Sequence, residues 1–238
     1  MTQHNKEEIF IQFTKNAGLT PKLVASTPDK IPDNIMPCIP QSTIINMYEP
    51  RIYPTGIGYG LTGSSRIGKS CANSVVIKRG MRGLINACVE HISDSTSPAH
   101  EYERCQVTLE KCTSYEAHRI VNWVYWPECY DWFQKNTITD FGSGRLPRFH
   151  TESLKNTKLL ILDDLGRETL STKSSEYGMP YALGQLALII NHRNEHNLPI
   201  IWTSNLEEVD LIAIYGAPLY LRLVEIAPCS RWLSSTHY

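Results

Sequence analysis

The chain has 238 residues, 42% hydrophobic and 20% charged, with a formal net charge of −1. This is the balance of a globular protein with one substantial core, and it excludes a strong overall field for a polyanionic partner, so any nucleic-acid contact has to come from a local patch. No apolar run approaches the roughly 18 residues a membrane span needs, and the polar start MTQHNKEEIF holds no signal-peptide core, so a cytoplasmic location is expected.

Residues 5–17, NKEEIFIQFTKNA, predict a short amphipathic helix with Ile9, Phe10, Phe13 and Ala17 on one face. Pro28, Pro32, Pro37, Pro40, Pro50 and Pro54 follow. Proline fixes φ and removes a donor, so this stretch reads as a connector, with a boundary near residue 54 between an N-terminal segment (1–54) and a main domain (55–238).

The main domain opens on YGLT, a strand, and then Gly63-Ser64-Ser65-Arg66-Ile67-Gly68-Lys69-Ser70, which fits G-x-x-x-x-G-K-[ST] without mismatch. The glycines let successive N–H groups point at phosphate oxygens. Lys69 adds a cation for the β- and γ-phosphates of ATP, Ser70 offers a hydroxyl to Mg²⁺, and the following helix, expected over 69–91, adds its dipole. Cys71, in the first helical turn, completes the candidate nucleotide-binding set. No acidic residue lies between Glu49 and Glu90, while Arg51, Arg66, Lys69, Lys78, Arg79 and Arg82 do; this basic run serves bound phosphate or touches DNA.

Residues 93–118 and 140–156 read as loops or insertions. Between them HRIVNWVYW is β-branched and aromatic, hence a strand, and PECYDWFQKN opens with proline in a first helical turn. Its aromatic residues belong to the core or stack exposed bases, the core being the simpler account. The loop GSGRLPRFH carries Arg145, Arg148 and His150 and is a candidate DNA contact. KLLILDDL is a buried strand ending in acids, YALGQLALIINHRNEH a helix with Leu183, Leu186 and Ile190 on one face, and PIIWTSN a buried strand ending in polar residues. Within that helix His192 to His196 match H-x-x-E-H, a zinc-protease pattern. The fold needs this helix as a covering element, and the glutamates further along all lie in the short tail.

Apolar strands alternating with helices specify an α/β fold, a parallel sheet covered on both faces that binds ligands beyond the carboxyl ends of its strands. At such an end one of Asp163 and Asp164 can hold the Mg²⁺ shell while its neighbour orients or deprotonates an attacking water. Asn205, at the end of the next strand, can hydrogen-bond the γ-phosphate and that water together. The stretch between phosphate loop and acids has room for a strand and a helix, which predicts that an extra strand separates the two in the sheet, as in additional-strand P-loop NTPases.

GLTGSSRIGKS, LLILDDLGRE and PIIWTSNL, in that order, resemble the DnaC/DnaI/IstB branch of AAA+ ATPases, the helicase loaders of bacteria and phages and their transposition-helper relatives. The resemblance covers roughly residues 55–235. It implies Lys69 and Ser70 for phosphate and Mg²⁺, Asp163 for Mg²⁺, Asp164 for the water and Asn205 as first sensor. It also implies that Gly216 and Arg222 keep the spacing of an arginine that reaches a neighbouring subunit's nucleotide, and hence a homo-oligomer. Where such proteins carry a further arginine, this chain has Pro218. The few residues after Asn205 imply a minimal lid or none.

The leading expectation is therefore an Mg²⁺-dependent ATPase of DNA replication, acting on single-stranded DNA and on a replicative helicase held by residues 1–54. Transposition help, viral genome packaging, a nucleotide-gated module with little turnover and a small-molecule kinase are the alternatives. The seven cysteines contain no CxxC pair and read as reduced structural thiols.

Overall fold

The computed structural model describes residues 3–27, 58–65, 68–136, 147–168 and 178–231. Five parallel strands form its centre: β1 (Tyr59–Thr62), β2 (Val121–Tyr125), β3 (Leu159–Leu165), β4 (Ile200–Ser204) and β5 (Cys229–Arg231), in the order β2-β3-β4-β1-β5. The helices are α1 (Gln3–Asn16), α2 (Pro21–Val24), α3 (Lys69–Ser93), α4 (Ala99–Thr113), α5 (Trp126–Lys135), α6 (Thr151–Asn156), α7 (Gly178–Glu195), α8 (Glu208–Tyr215) and α9 (Ala217–Ile226).

The period-two alternation of the strands builds three layers. Leu61, Val121, Trp123, Leu159, Ile161 and Ile201 point into one core with α1–α4, while Val124, Leu160, Leu162, Ile200 and Trp202 point into a second with α5–α9. This is the P-loop NTPase fold expected. A strand does separate the phosphate-loop strand from the acidic strand, but it is β4, which follows both in sequence; β2, which lies between them in sequence, sits at the outer edge beside β3. After β4 the described chain forms α8 and α9 and returns to the sheet as β5, with no separate helical lid among the described residues.

Two expectations change. Residues 99–113, read as loop, form α4: Cys105, Leu109 and Cys112 recur at helical spacing and are buried, in an otherwise polar sequence that hides the stripe. Residues 151–156, also read as loop, form α6, whose first turn is capped by the His150 ring accepting from the Glu152 N–H at 3.2 Å. The N-terminal helix expected over 5–17 is present as Gln3–Asn16, and its predicted face of Ile9, Phe10, Phe13 and Ala17 is buried in the first core. The expected boundary near residue 54 falls outside the described residues.

Two cations of the basic run, Lys78 and Arg82, serve this attachment, while Arg51 and Arg66 lie outside the described residues. Lys78 on α3 donates to the carbonyls of Leu23 at 3.1 Å and Val24 at 2.7 Å, closing the end of α2. Arg82 pairs with Glu7 at 2.6 Å and lies over the Phe10 ring. Trp123 N–H donates to Ala17 O at 2.7 Å, so the turn after α1 runs along the β2 edge. The aromatic stretch is core, with Trp123, Trp126, Tyr130 and Phe133 all buried. The six described cysteines are free thiols, four of them buried.

Candidate functional site

A cavity of about 1160 Å³ opens over the carboxyl ends of the strands. At its centre the chain leaves β1 through Gly63 (φ 140°) and enters α3 through Gly68 (φ 95°), backbone that side-chain-bearing residues rarely adopt, and this lets the loop curl over the helix N-terminus. Ser64 and Ser65 are exposed at the tip; Arg66 and Ile67 lie outside the described residues. Lys69 turns back beneath the loop, where its ammonium group donates to Gly63 O at 2.7 Å, Ser64 O at 2.8 Å and Asn205 Oδ1 at 2.9 Å. Burial pulls its pKa down, and the carboxylates of Asp164 and Asp163 push it back up. Phosphate oxygens would compete for those N–H donors at the same place.

Asp163 ends the apolar run of β3. It is buried, and burial raises its pKa against the hydrogen bonds of Thr203 and Ser70, whose hydroxyls both donate to Oδ1 at 2.7 Å. Ser70 and Asp163 thus present two oxygens at hydrogen-bond separation, the hard-ligand pair that fits Mg²⁺, which takes one or two protein ligands and fills its remaining positions with phosphate and water. Among the described residues no group of three His, Cys, Asp or Glu gathers that could hold a metal ion.

Asp164 has φ 63°, and the β3–β4 register shifts between Leu162 and Leu165. A left-handed non-glycine residue costs about 1–3 kcal/mol unless its surroundings hold it. Here they do: the Asp164 N–H donates to Thr203 Oγ1 at 2.9 Å, Ser204 Oγ donates to Leu165 O at 2.7 Å, and the Gly166 N–H donates to the Tyr215 hydroxyl at 2.7 Å. The Tyr215 hydroxyl in turn donates to the buried carboxyl of Glu168, whose pKa burial raises. The kink turns the Asp164 carboxylate toward the cavity, where Asn205 Nδ2 donates to Oδ1 at 3.1 Å and Arg167 Nη1 donates to Oδ2 at 3.0 Å. One amide therefore bridges the loop lysine and the second acid.

Gly63, Ser64, Ser65, Gly68, Lys69, Ser70, Cys71, Asp163, Asp164 and Asn205 all lie at this end of the sheet, and most line the cavity. Arg222 does not. It sits exposed on α9, donating to Asn191 Oδ1 at 2.6 Å, after Gly216 breaks the backbone between α8 and α9 and Pro218 starts the new helix. Of the basic loop, Arg145 lies outside the described residues, and Arg148 lines the cavity rather than an outer groove. His192 and His196 stack on each other with ring centroids 4.0 Å apart, and neither lines the cavity. Thr203 and Arg167 were passed over in the sequence. The first is legible in hindsight from β4, where alternation puts residue 203 beside Ile201 and hence on the face of Asp163; nothing in the pattern singles out the second.

Among solved structures the chain is similar to a protein described as a primosome component from Streptococcus pyogenes serotype M3 (16% identity, 95% of this chain and 98% of that one, TM-score 0.54). It is likewise similar to the DnaC helicase loader (16%, 89% and 99%, 0.53) and to DnaI (15%, 93% and 95%, 0.54). The chain has the DnaC/DnaI fold. By sequence no protein family and no curated protein matches.

Proposed function

We propose that this chain is an ATP-binding and ATP-hydrolysing accessory of DNA replication, a helicase-loader-like protein of the cytoplasm. The observation that carries the reading is the bridge Lys69–Asn205–Asp164 beside the pair Ser70–Asp163: phosphate cation, sensor amide, water-orienting acid and metal ligands stand in hydrogen-bond sequence. The loader role is supported by the likeness to the DnaC helicase loader and DnaI.

In this reading the loop amides and Lys69 hold the β- and γ-phosphates of ATP. Mg²⁺, held by Ser70 and Asp163, supplies charge neutralisation of those phosphates. Asp164 orients the attacking water and accepts its proton, and Asn205 links that carboxylate to Lys69, so that the presence of a terminal phosphate alters the position of both. Arg222, exposed and outside its own cavity, serves the nucleotide of a second copy, which makes the working form a homo-oligomer. A partner helicase is contacted through residues 1–54, by the outer side of α1 where Ile11 is exposed, since the inner side belongs to the core.

A second reading, a nucleotide-gated interaction module with little turnover, is favoured by one feature: both Asp164 oxygens already accept hydrogen bonds, one of them from Arg167. ATP hydrolysis with and without single-stranded DNA, with Lys69→Ala as blank, separates the two. Turnover stimulated by the single strand and absent from the blank supports the loader; tight ATP binding without turnover in either condition supports the module.

A further inference from the structure

The cavity does not end at the two acids. It continues toward the β2 edge of the sheet, where Tyr125, Glu128 and Arg148 line it together with Gly18, Thr20 and Lys22 from the N-terminal segment. Its volume of about 1160 Å³ exceeds the roughly 300–1,000 Å³ of ordinary small-molecule pockets, so a nucleotide on the phosphate loop leaves room beside its terminal phosphate.

Arg148 is the unusual group there. Its Cζ lies 4.5 Å from the centre of the Phe149 ring, and its main-chain carbonyl is fixed by Asn122 Nδ2 at 2.8 Å. Gly18, at φ +94°, makes the space: a Cβ added there would come within 2.3 Å of Arg148 Nη1. Yet among the described residues the guanidinium donates no hydrogen bond and forms no ion pair, Glu128 acting on it only at longer range. The side chain is half-buried, and that burial lowers its pKa. A guanidinium carries five N–H donors in a fork that matches phosphate.

We propose that the β2-side compartment is a second anion subsite, which binds the phosphate monoester of a second ligand through the Arg148 guanidinium with Lys22 as the second cation. The two positive groups match the nearly two negative charges of a monoester at neutral pH. Glu128, Tyr125 and Thr20 line the same compartment and suit the hydroxyls of an attached sugar. The assignment rests on the phosphate-loop end being the nucleotide's. The same chemistry is offered by the 5′-phosphate of a nucleic-acid strand and by a small sugar phosphate.

The test is a titration of protein saturated with a non-hydrolysable ATP analogue and Mg²⁺. The probes are a 5′-phosphorylated dT dodecamer, the same dodecamer without its phosphate, and ribose 5-phosphate. One phosphorylated probe is expected to bind, its affinity falling at least tenfold in Arg148→Gln and several-fold in Arg148→Lys, with analogue affinity within twofold of the parent chain. The binding arm names the source. Equal binding of both dodecamers with no binding of ribose 5-phosphate, no binding of any probe, or an Arg148→Gln chain that loses analogue affinity instead, overturns the proposal. Lys69→Ala, titrated without nucleotide, should lose the analogue and keep the phosphorylated probe; if it keeps both, the nucleotide reading fails while the second subsite stands.

Discussion

One buried and one half-buried arginine mark the two ends of the sheet. At the amino ends of β3 and β4, Arg193 is fully buried and donates to the carbonyls of Leu154 (2.9 Å), Lys155 (3.1 Å), Thr157 (2.7 Å) and Pro199 (2.6 Å), closing the end of α6 and the entry to β4. At the carboxyl ends, Arg148 has stacking and space but no acceptor among the described residues. The first arginine completes the fold. The second is held ready by it. Where both terminal nitrogens of the guanidinium are answered inside the protein, as in Arg193 with only Nε left over, the role is structural, and where they face a cavity unanswered the role lies with a ligand.

The sharpest way to break this contrast is Arg193→Met. It leaves the carbonyls of Leu154, Lys155 and Thr157 without their donor, Pro199 O keeping the Leu160 N–H, and at about 1–3 kcal/mol for each buried unsatisfied group the loss should exceed about 3 kcal/mol even after relaxation. Urea denaturation would show it; a change as small as that of Arg148→Gln would erase the distinction between the two ends. Next in size is Lys69→Ala, expected to weaken ATP on the order of 100-fold, about 2.7 kcal/mol, in calorimetric titration, with a much smaller change in unfolding free energy.

A smaller effect is expected where the two roles meet. Tyr215→Phe removes the acceptor of the Gly166 N–H and the donor to Glu168, so it should cost about 1–2 kcal/mol in stability and lower turnover several-fold, because the kink at Asp164 loses one restraint. Unchanged turnover would detach that network from the site. The smallest effect is Glu168→Gln. Burial raises the Glu168 pKa, so the folded state holds its proton above the pH at which the unfolded chain releases it. The stabilisation is therefore complete below the unfolded value and is lost as pH rises through the folded one. The melting temperature of the parent chain should decline over that range, and Glu168→Gln should flatten the decline; an equal slope in both would place the titration elsewhere.

How much of this was legible follows from how each part is encoded. Strands β3 and β4 and the phosphate loop are local patterns, apolar runs cut off by polar residues and glycines at fixed spacing, and all were readable. Helix α4 was not, because its stripe consists of two cysteines and one leucine amid charges. The strand order was half readable: the separation of phosphate loop and acids was foreseen, whereas the identity of the separating strand depends on long-range pairing that no local pattern carries. Arg148 was noticed as a basic loop residue, but only the fold turns it inward, between its neighbour Phe149 and the distant Gly18.

The central claim, that the acids at the end of β3 divide metal binding from water activation, is tested most directly by Asp164→Asn with ATP binding and single-turnover hydrolysis measured on the same sample. The amide keeps the size of the carboxylate and removes the base. Binding within about threefold of the parent chain and hydrolysis reduced on the order of 100-fold or more is the predicted result. Hydrolysis at the parent rate, or loss of both together, would contradict the division of labour between Asp163 and Asp164.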